Sequence, residues 1–132
     1  TLVCGGKRWG DQGYFYEPTL LGGVSEEMRV AFEETFGPVA PLFTFDTEEE
    51  VLARANHVNY GLAAYVYTRD IGRATRMTEN LQYGIVGLND PLPGGAVQAP
   101  FGGWKESGLG REGGHHGLDV FLETKYISTV VE

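Results

Sequence analysis

The stretch TEEEVLARANHVNYGLAAYVYTRDIGRATRMTENLQYGIVGL, residues 47–88, carries the alternation that decides the fold. Thr47-Glu-Glu-Glu50 has the form of a capping box: the Thr47 hydroxyl can take the N3 amide proton, Glu50 can reach back, and the acidic run suits the positive end of a helix dipole. A helix is predicted over residues 48–58, with Val51, Leu52, Ala55 and Val58 on one face and Gly61 as its stop. Residues 62–67 read as an apolar strand. Asp70 then caps a second helix with Ile71, Ala74, Met77 or Thr78, and Leu81 on its buried face, and residues 85–88 form another strand. Strands separated by connections of this length pair in parallel, so the pattern predicts a βαβαβ portion of an α/β fold, with right-handed crossovers and helices covering a parallel sheet. Ligands of such sheets collect at the carboxyl ends of the strands, and the loop of residues 89–110 leaves from such an end.

Toward the amino end, residues 2–4 are a short β-prone run closed by Gly5-Gly6, and residues 7–13 are a polar turn. Residues 14–21 read as an aromatic-rich strand that Pro18 makes edge-like or bulged. Residues 25–36 are ambiguous, and residues 39–45 read as a strand interrupted early by Pro41. Toward the carboxyl end, Pro100-Phe-Gly-Gly-Trp-Lys-Glu-Ser-Gly-Leu-Gly-Arg-Glu-Gly-Gly114 is too rich in glycine for a strand or an ordinary helix. Phe101, Trp104, Lys105, Arg111 and Glu112 stand between the glycines, which suits a backbone folded against a ligand or a neighbouring subunit better than a linker. Residues 111–122 have a helical apolar set in Leu118, Phe121 and Leu122, but Gly113, Gly114 and Gly117 each cost about 1 kcal/mol there relative to Ala. Residues 125–131 are β-prone with no later element to pair with, a liability unless something covers the edge.

At 132 residues the chain has the length of one domain. Its net charge of −8 offers no basic footprint, which argues against nucleic acid and anionic membrane as partners. Cys4 is the sole cysteine, so no internal disulfide is expected and a reducing, cytoplasmic setting fits. Neither a membrane span nor a secretory leader is expected. The chain opens at Thr1 inside a strand-like run, and a piece of a longer protein is expected. Gly108-Leu-Gly-Arg-Glu-Gly113 is a literal dinucleotide fingerprint without the strand that must precede it. His57, His115, His116 and Cys4 lack zinc spacing, so no metal is expected. Cys4, in an apolar run with nothing near it to lower its pKa, reads as a small buried hydrophobe rather than a nucleophile.

Two motifs in the right order carry a resemblance. Glu33-Glu-Thr-Phe-Gly-Pro38 resembles the EE-x-FGP motif of the NAD(P)-dependent aldehyde dehydrogenases, and Pro100-Phe-Gly-Gly-x-Lys-x-Ser-Gly-x-Gly-Arg-Glu112 resembles their PFGG-x-K-x-SG-x-GRE motif. The likeness runs from the opening LVCGGKR to Leu122-Glu-Thr-Lys-Tyr126, and APFGGWKESGLGREGG is similar to the succinate-semialdehyde dehydrogenases. Asp90-Pro-Leu-Pro-Gly-Gly95 departs from the pattern, lacking the serine pair many of those enzymes carry. The resemblance implies the carboxyl-terminal part of a catalytic domain over residues 1–121 and an oligomerisation arm over residues 122–132. It further implies that Glu34 and Phe36 contact the nicotinamide half of NAD or NADP, that Phe101 lines the aldehyde tunnel, and that Glu112 supports catalysis. Arg111 and Glu123 would meet across a subunit boundary of a homo-oligomer. The attacking cysteine and the activating glutamate would lie upstream of Thr1, with Cys4 at a non-catalytic position, so this stretch alone would be inactive. The expected substrate is a small aldehyde; a non-catalytic binding or assembly module is the competing reading.

Overall fold

The computed structural model describes residues 1–91 and 97–131, which form two compact units, Thr1–Ala53 and Arg54–Glu132. In the first, β1 (Leu2–Cys4) pairs antiparallel with β2 (Thr19–Leu21), and β2 pairs in parallel with β3 (Val39–Pro41) from Thr19↔Val39 to Leu21↔Pro41. Thr19 is buried, and its hydroxyl accepts from the Gly6 amide at 2.7 Å and donates to the Glu17 carbonyl at 2.8 Å, which ties the Gly5-Gly6 turn to the sheet.

Two of the three strands of this unit, β2 and β3, are shorter than the sequence suggests. The stretch of residues 14–21 contracts to β2, preceded only by an isolated Arg8↔Tyr16 bridge, because Pro18 has no amide proton to give a ladder. The stretch of residues 39–45 likewise ends as a strand at Pro41. The ambiguous residues 25–36 contain one helical turn, α1 (Arg29–Phe32). Cys4 is exposed rather than buried, since β1 is an edge strand whose three residues all face solvent.

The helix α2 (Glu48–Asn56) starts as expected. The Glu50 amide donates to Thr47 Oγ1 at 3.1 Å, while the Glu50 carboxylate accepts from the Asp46 amide at 2.9 Å, one residue further back than the standard box. It ends at Asn56, and Gly61 is not its stop. Gly61 is buried in β4 (Tyr60–Gly61), which pairs antiparallel with β7 (Trp104–Lys105). The glycine-rich stretch therefore does contribute a strand, two residues long, because Tyr60 and Gly61 offer it a partner that only folding brings near.

The second unit is built on β5 (Ala63–Val66), α3 (Ile71–Asn80) and β6 (Ile85–Leu88), with β5 and β6 in parallel register from Ala63↔Ile85 to Val66↔Leu88. Asp70 has extended backbone angles, and its carboxylate accepts from the Arg73 amide at 2.7 Å, which satisfies a donor the helix cannot. Ala74, Met77 and Leu81 are buried, as is Val66 of β5, against which α3 packs, but Ile71 is 81% exposed, one turn short of the packed stripe. The parallel pairs support the α/β class; among the described residues they belong to separate ladders rather than one βαβαβ sheet.

Beyond β7 the expected helix over residues 111–122 shrinks to α4 (His116–Asp119). Gly113 and Gly114 have φ of +73° and +56°, outside the right-handed helical region, so no helix can run through them. Residues 125–131 are exposed and join no ladder with any described part of the chain. Among the described residues the buried apolar side chains are Val24, Val66, Ala74, Met77 and Leu81, whereas Leu109, Phe121, Tyr126 and many other large apolar side chains are open to solvent.

Removing the α3 cap tests this account. Asp70→Ala in the protein that carries this chain should lower unfolding free energy by about 1 kcal/mol, and Asp70→Asn by less. Denaturant titration measures both; equal losses would show that the Arg73 contact is not what matters.

Candidate functional site

Two groups of residues stand out, one in each unit. In the first unit the segment after α1 turns sharply. Arg29 grips Glu33 with two bonds, Nε to Oε1 at 3.0 Å and Nη2 to Oε2 at 2.7 Å, and the hydrogen bond from Arg29 holds the Glu33 carboxyl below its usual range. That committed pair separates Glu33 from Glu34, which is exposed on the next residue. Phe36 follows with φ of +45°, a conformation that costs a non-glycine residue roughly 1–2 kcal/mol, and the residue is 92% exposed. A strained backbone holding an aromatic ring in solvent stabilises nothing within this unit. The turn therefore presents an acceptor-only carboxylate and a flat ring from neighbouring positions.

In the second unit the glycine-rich stretch folds back on itself. Phe101 and Glu112 exchange both backbone bonds, at 2.8 and 2.7 Å, and close the base of the loop. Inside it, Arg111 Nη1 donates to the carbonyls of Gly103 at 2.9 Å and Gly110 at 2.7 Å. The Ser107 hydroxyl accepts from the Gly61 amide at 3.0 Å, which fixes the loop to β4. Close packing explains two glycines. A Cβ on Gly84 would collide with the Gly102 carbonyl, and one on Gly102 would lie 2.7 Å from both Arg111 Cδ and the Gly110 carbonyl oxygen. The result is an open cleft of about 740 Å³, with walls that include Leu62, Phe101, Leu109, Arg111, Glu112 and Phe121. Its volume falls within the range of roughly 300–1,000 Å³ common for small-ligand sites.

Of the residues singled out in the sequence, Phe101, Arg111 and Glu112 come together around this cleft, and Glu34 and Phe36 share the turn of the other unit. Glu123 does not line the cleft and makes no ion pair with Arg111 within the described chain. Residues 92–95 of the unusual Asp90-to-Gly95 segment lie outside the described residues. Two residues that spacing did not single out as site residues also position the loop. Asn89 ends β6 with φ of +52°, its amide accepting from the Thr68 amide and donating to the Thr68 carbonyl, both at 2.9 Å, which adds a rung beyond the β5·β6 ladder. Lys105, also at positive φ, does not line the cleft and donates its ammonium to the carbonyls of Asn56 and Val58. Asparagine before a proline-containing loop was the available signal for the first; the place of Lys105 in the glycine-rich motif marked the second, but not the carbonyls it would reach.

With the motifs in place on these two surfaces, residues 1–127 match the model of the Aldehyde dehydrogenase family. The chain belongs to that family. It is 52% identical over 126 residues to a 3-sulfolactaldehyde dehydrogenase of Pseudomonas putida, covering 96% of this chain and 26% of the relative. Over 125 residues it is 53% identical to a succinate semialdehyde dehydrogenase of Acinetobacter baylyi, covering 95% of this chain and 26% of the relative. The crystal structure of an E. coli NADP-dependent enzyme superposes with a TM-score of 0.89 at 50% identity, over 96% of this chain and 26% of that one. The chain thus spans about a quarter of the length of the dehydrogenases it matches. Among the described residues no helix is long and apolar enough to cross a membrane.

Gly102→Ala tests the packing of the cleft. The added methyl should push Arg111 off the loop carbonyls and destabilise the protein by about 1–3 kcal/mol, read by denaturant titration, as overpacking does elsewhere.

Proposed function

We propose that this chain is the carboxyl-terminal part of an NAD(P)-dependent aldehyde dehydrogenase, with residues 1–121 completing the catalytic domain and residues 122–132 forming an oligomerisation arm. The overall reaction converts an aldehyde, water and NAD(P)+ into a carboxylic acid, NAD(P)H and a proton. The observation that carries the reading is the Glu34–Phe36 turn, whose exposed carboxylate and strained, solvent-facing ring have no role inside their own unit. A carboxylate that can only accept hydrogen bonds suits a ribose diol, and a bond of that charged kind is worth about 1.5–3 kcal/mol. Phe36 packs beside the nicotinamide ring. The dinucleotide, when bound, supplies the hydride acceptor.

On the cleft side, Phe101 forms part of the aldehyde wall and the Glu112 carboxylate assists proton movement. The thiolate that attacks the aldehyde, and through which the thiohemiacetal and thioester form, belongs to a cysteine outside this chain, so the chain alone is inactive. Two relatives named for succinate semialdehyde and 3-sulfolactaldehyde, both short aldehydes bearing an acid group, support a small anionic aldehyde such as succinic semialdehyde as substrate. The enzyme works in the cytoplasm as a homo-oligomer, in which Arg111, one of whose nitrogens already holds the loop, pairs with Glu123 of a second copy.

In the full-length enzyme, Glu34→Gln should slow hydride transfer by about tenfold or more, because a neutral amide is the poorer acceptor for the diol. Single-turnover NAD(P)H formation reads this directly, and unchanged kinetics would reject the cofactor role. Glu123→Lys should set two cations against each other and weaken assembly by a few kcal/mol if the pair is buried. Sedimentation of the variant beside wild type decides; equal assembly would remove Arg111 and Glu123 from the interface.

A further inference from the structure

We infer that Lys105 is a positioning residue for the aldehyde side of the site, a clamp that registers the cleft-forming loop on the end of α2; this inference rests on the functional reading above. A lysine in a glycine-rich loop invites assignment as an anion binder. Its ammonium is instead engaged by two carbonyl oxygens, Asn56 at 2.6 Å and Val58 at 3.0 Å, at and just beyond the carboxyl end of α2, where unpaired carbonyls and the negative end of the helix dipole favour a cation. Lys105 reaches them from positive φ, so the backbone bears strain while the side chain makes this contact.

The clamp matters because the strand it belongs to is minimal. β7 has only two residues, Phe101 and Gly102 stand just before it, and Ser107 to Arg111 follow it. A ladder of that length holds its register poorly without further ties. Two others are present, the Glu106 amide to the Asn59 carbonyl at 3.0 Å and the Gly61 amide to the Ser107 hydroxyl at 3.0 Å. Of these three ties among the described residues, that of Lys105 is the one made by a charged group and to a helix end. That end is itself anchored: the Asn56 side chain donates to the Asn80 carbonyl and accepts from the Gln82 amide, both at 2.9 Å, which binds it to the end of α3 and the approach to β6. Lys105 thereby connects the wall containing Phe101 to the βαβ framework.

The test compares full-length wild type, Lys105→Met and Lys105→Arg. A displaced wall should raise the aldehyde KM of Lys105→Met by about tenfold or more, while the dissociation constant for NAD(P)H, read by nucleotide fluorescence, stays within about twofold. Lys105→Arg, which keeps the cation and can reach the same carbonyls, should recover most of the loss. Hydrogen exchange supplies a readout independent of turnover: the Phe101 and Glu112 amides should exchange faster in Lys105→Met, with the α3 amides unchanged. A lowered melting temperature with unchanged KM and unchanged exchange at Phe101 and Glu112 would overturn the clamp and leave Lys105 a helix cap. Loss of aldehyde and dinucleotide binding together with α3 protection would also overturn it. Wild-type protein that reduces no dinucleotide with any aldehyde defeats the functional reading instead, and the exchange arm then decides whether the clamp exists. Should Lys105→Met fail to fold, Lys105→Gln carries the same measurements.

Discussion

Parallel strands cannot be joined by a tight turn, and that constraint arranges the second unit. Pairing β5 with β6 obliges the chain to cross between them through α3, which packs on both strands with its apolar stripe of Ala74, Met77 and Leu81 buried. The crossing places the end of β6 next to the start of the loop after β5, and Asn89 closes that junction by bonding both sides of the Thr68 backbone. Once the chain has left β6 it must return to the same framework to build a cleft. It does so at Gly84, where the absence of a Cβ lets the Gly102 carbonyl approach, and along β4, where Trp104 and Lys105 find their partners.

The buried apolar set is small for the length of the chain. Five apolar residues are buried among those described, while Leu109, Phe121, Tyr126 and Ile127 are largely exposed. Water penalises apolar surface at roughly 25 cal/mol per Å², so this much exposure favours contact with further protein. That physical demand agrees with a chain that spans about a quarter of the dehydrogenases it matches. It also bears on the carboxyl end, where residues 125–131 have β-prone side chains and no ladder within the described chain.

The two candidate surfaces differ in how they are held. The Glu34–Phe36 turn depends on local geometry: Arg29 engages Glu33, and the positive φ of Phe36 precedes Gly37-Pro38. The cleft depends on contacts distant in sequence, from Gly61 to Ser107 and from Asn56 to Lys105. A surface of the first kind tolerates change elsewhere in the unit, whereas one of the second kind feels substitutions in elements that never touch a ligand.

The sequence by itself determined what lies within a few residues' reach. The Thr47 and Asp70 caps, the helix between two parallel strands, and the family motifs at Glu33-to-Pro38 and Pro100-to-Glu112 were all legible, because capping bonds link neighbouring turns and motif residues are read directly. Gly61 as a strand residue, β7 inside a glycine-rich run, the exposure of Ile71 and Cys4, and the target of Lys105 were not. Each depends on which distant segment arrives alongside: Lys105 meets the Asn56 carbonyl across 49 positions of sequence, and Trp104 pairs with Gly61 only after the chain has passed through β5, α3 and β6. Propensity and periodicity describe a residue's neighbours along the chain, and the closing of such long loops is decided by tertiary packing, which local pattern does not encode.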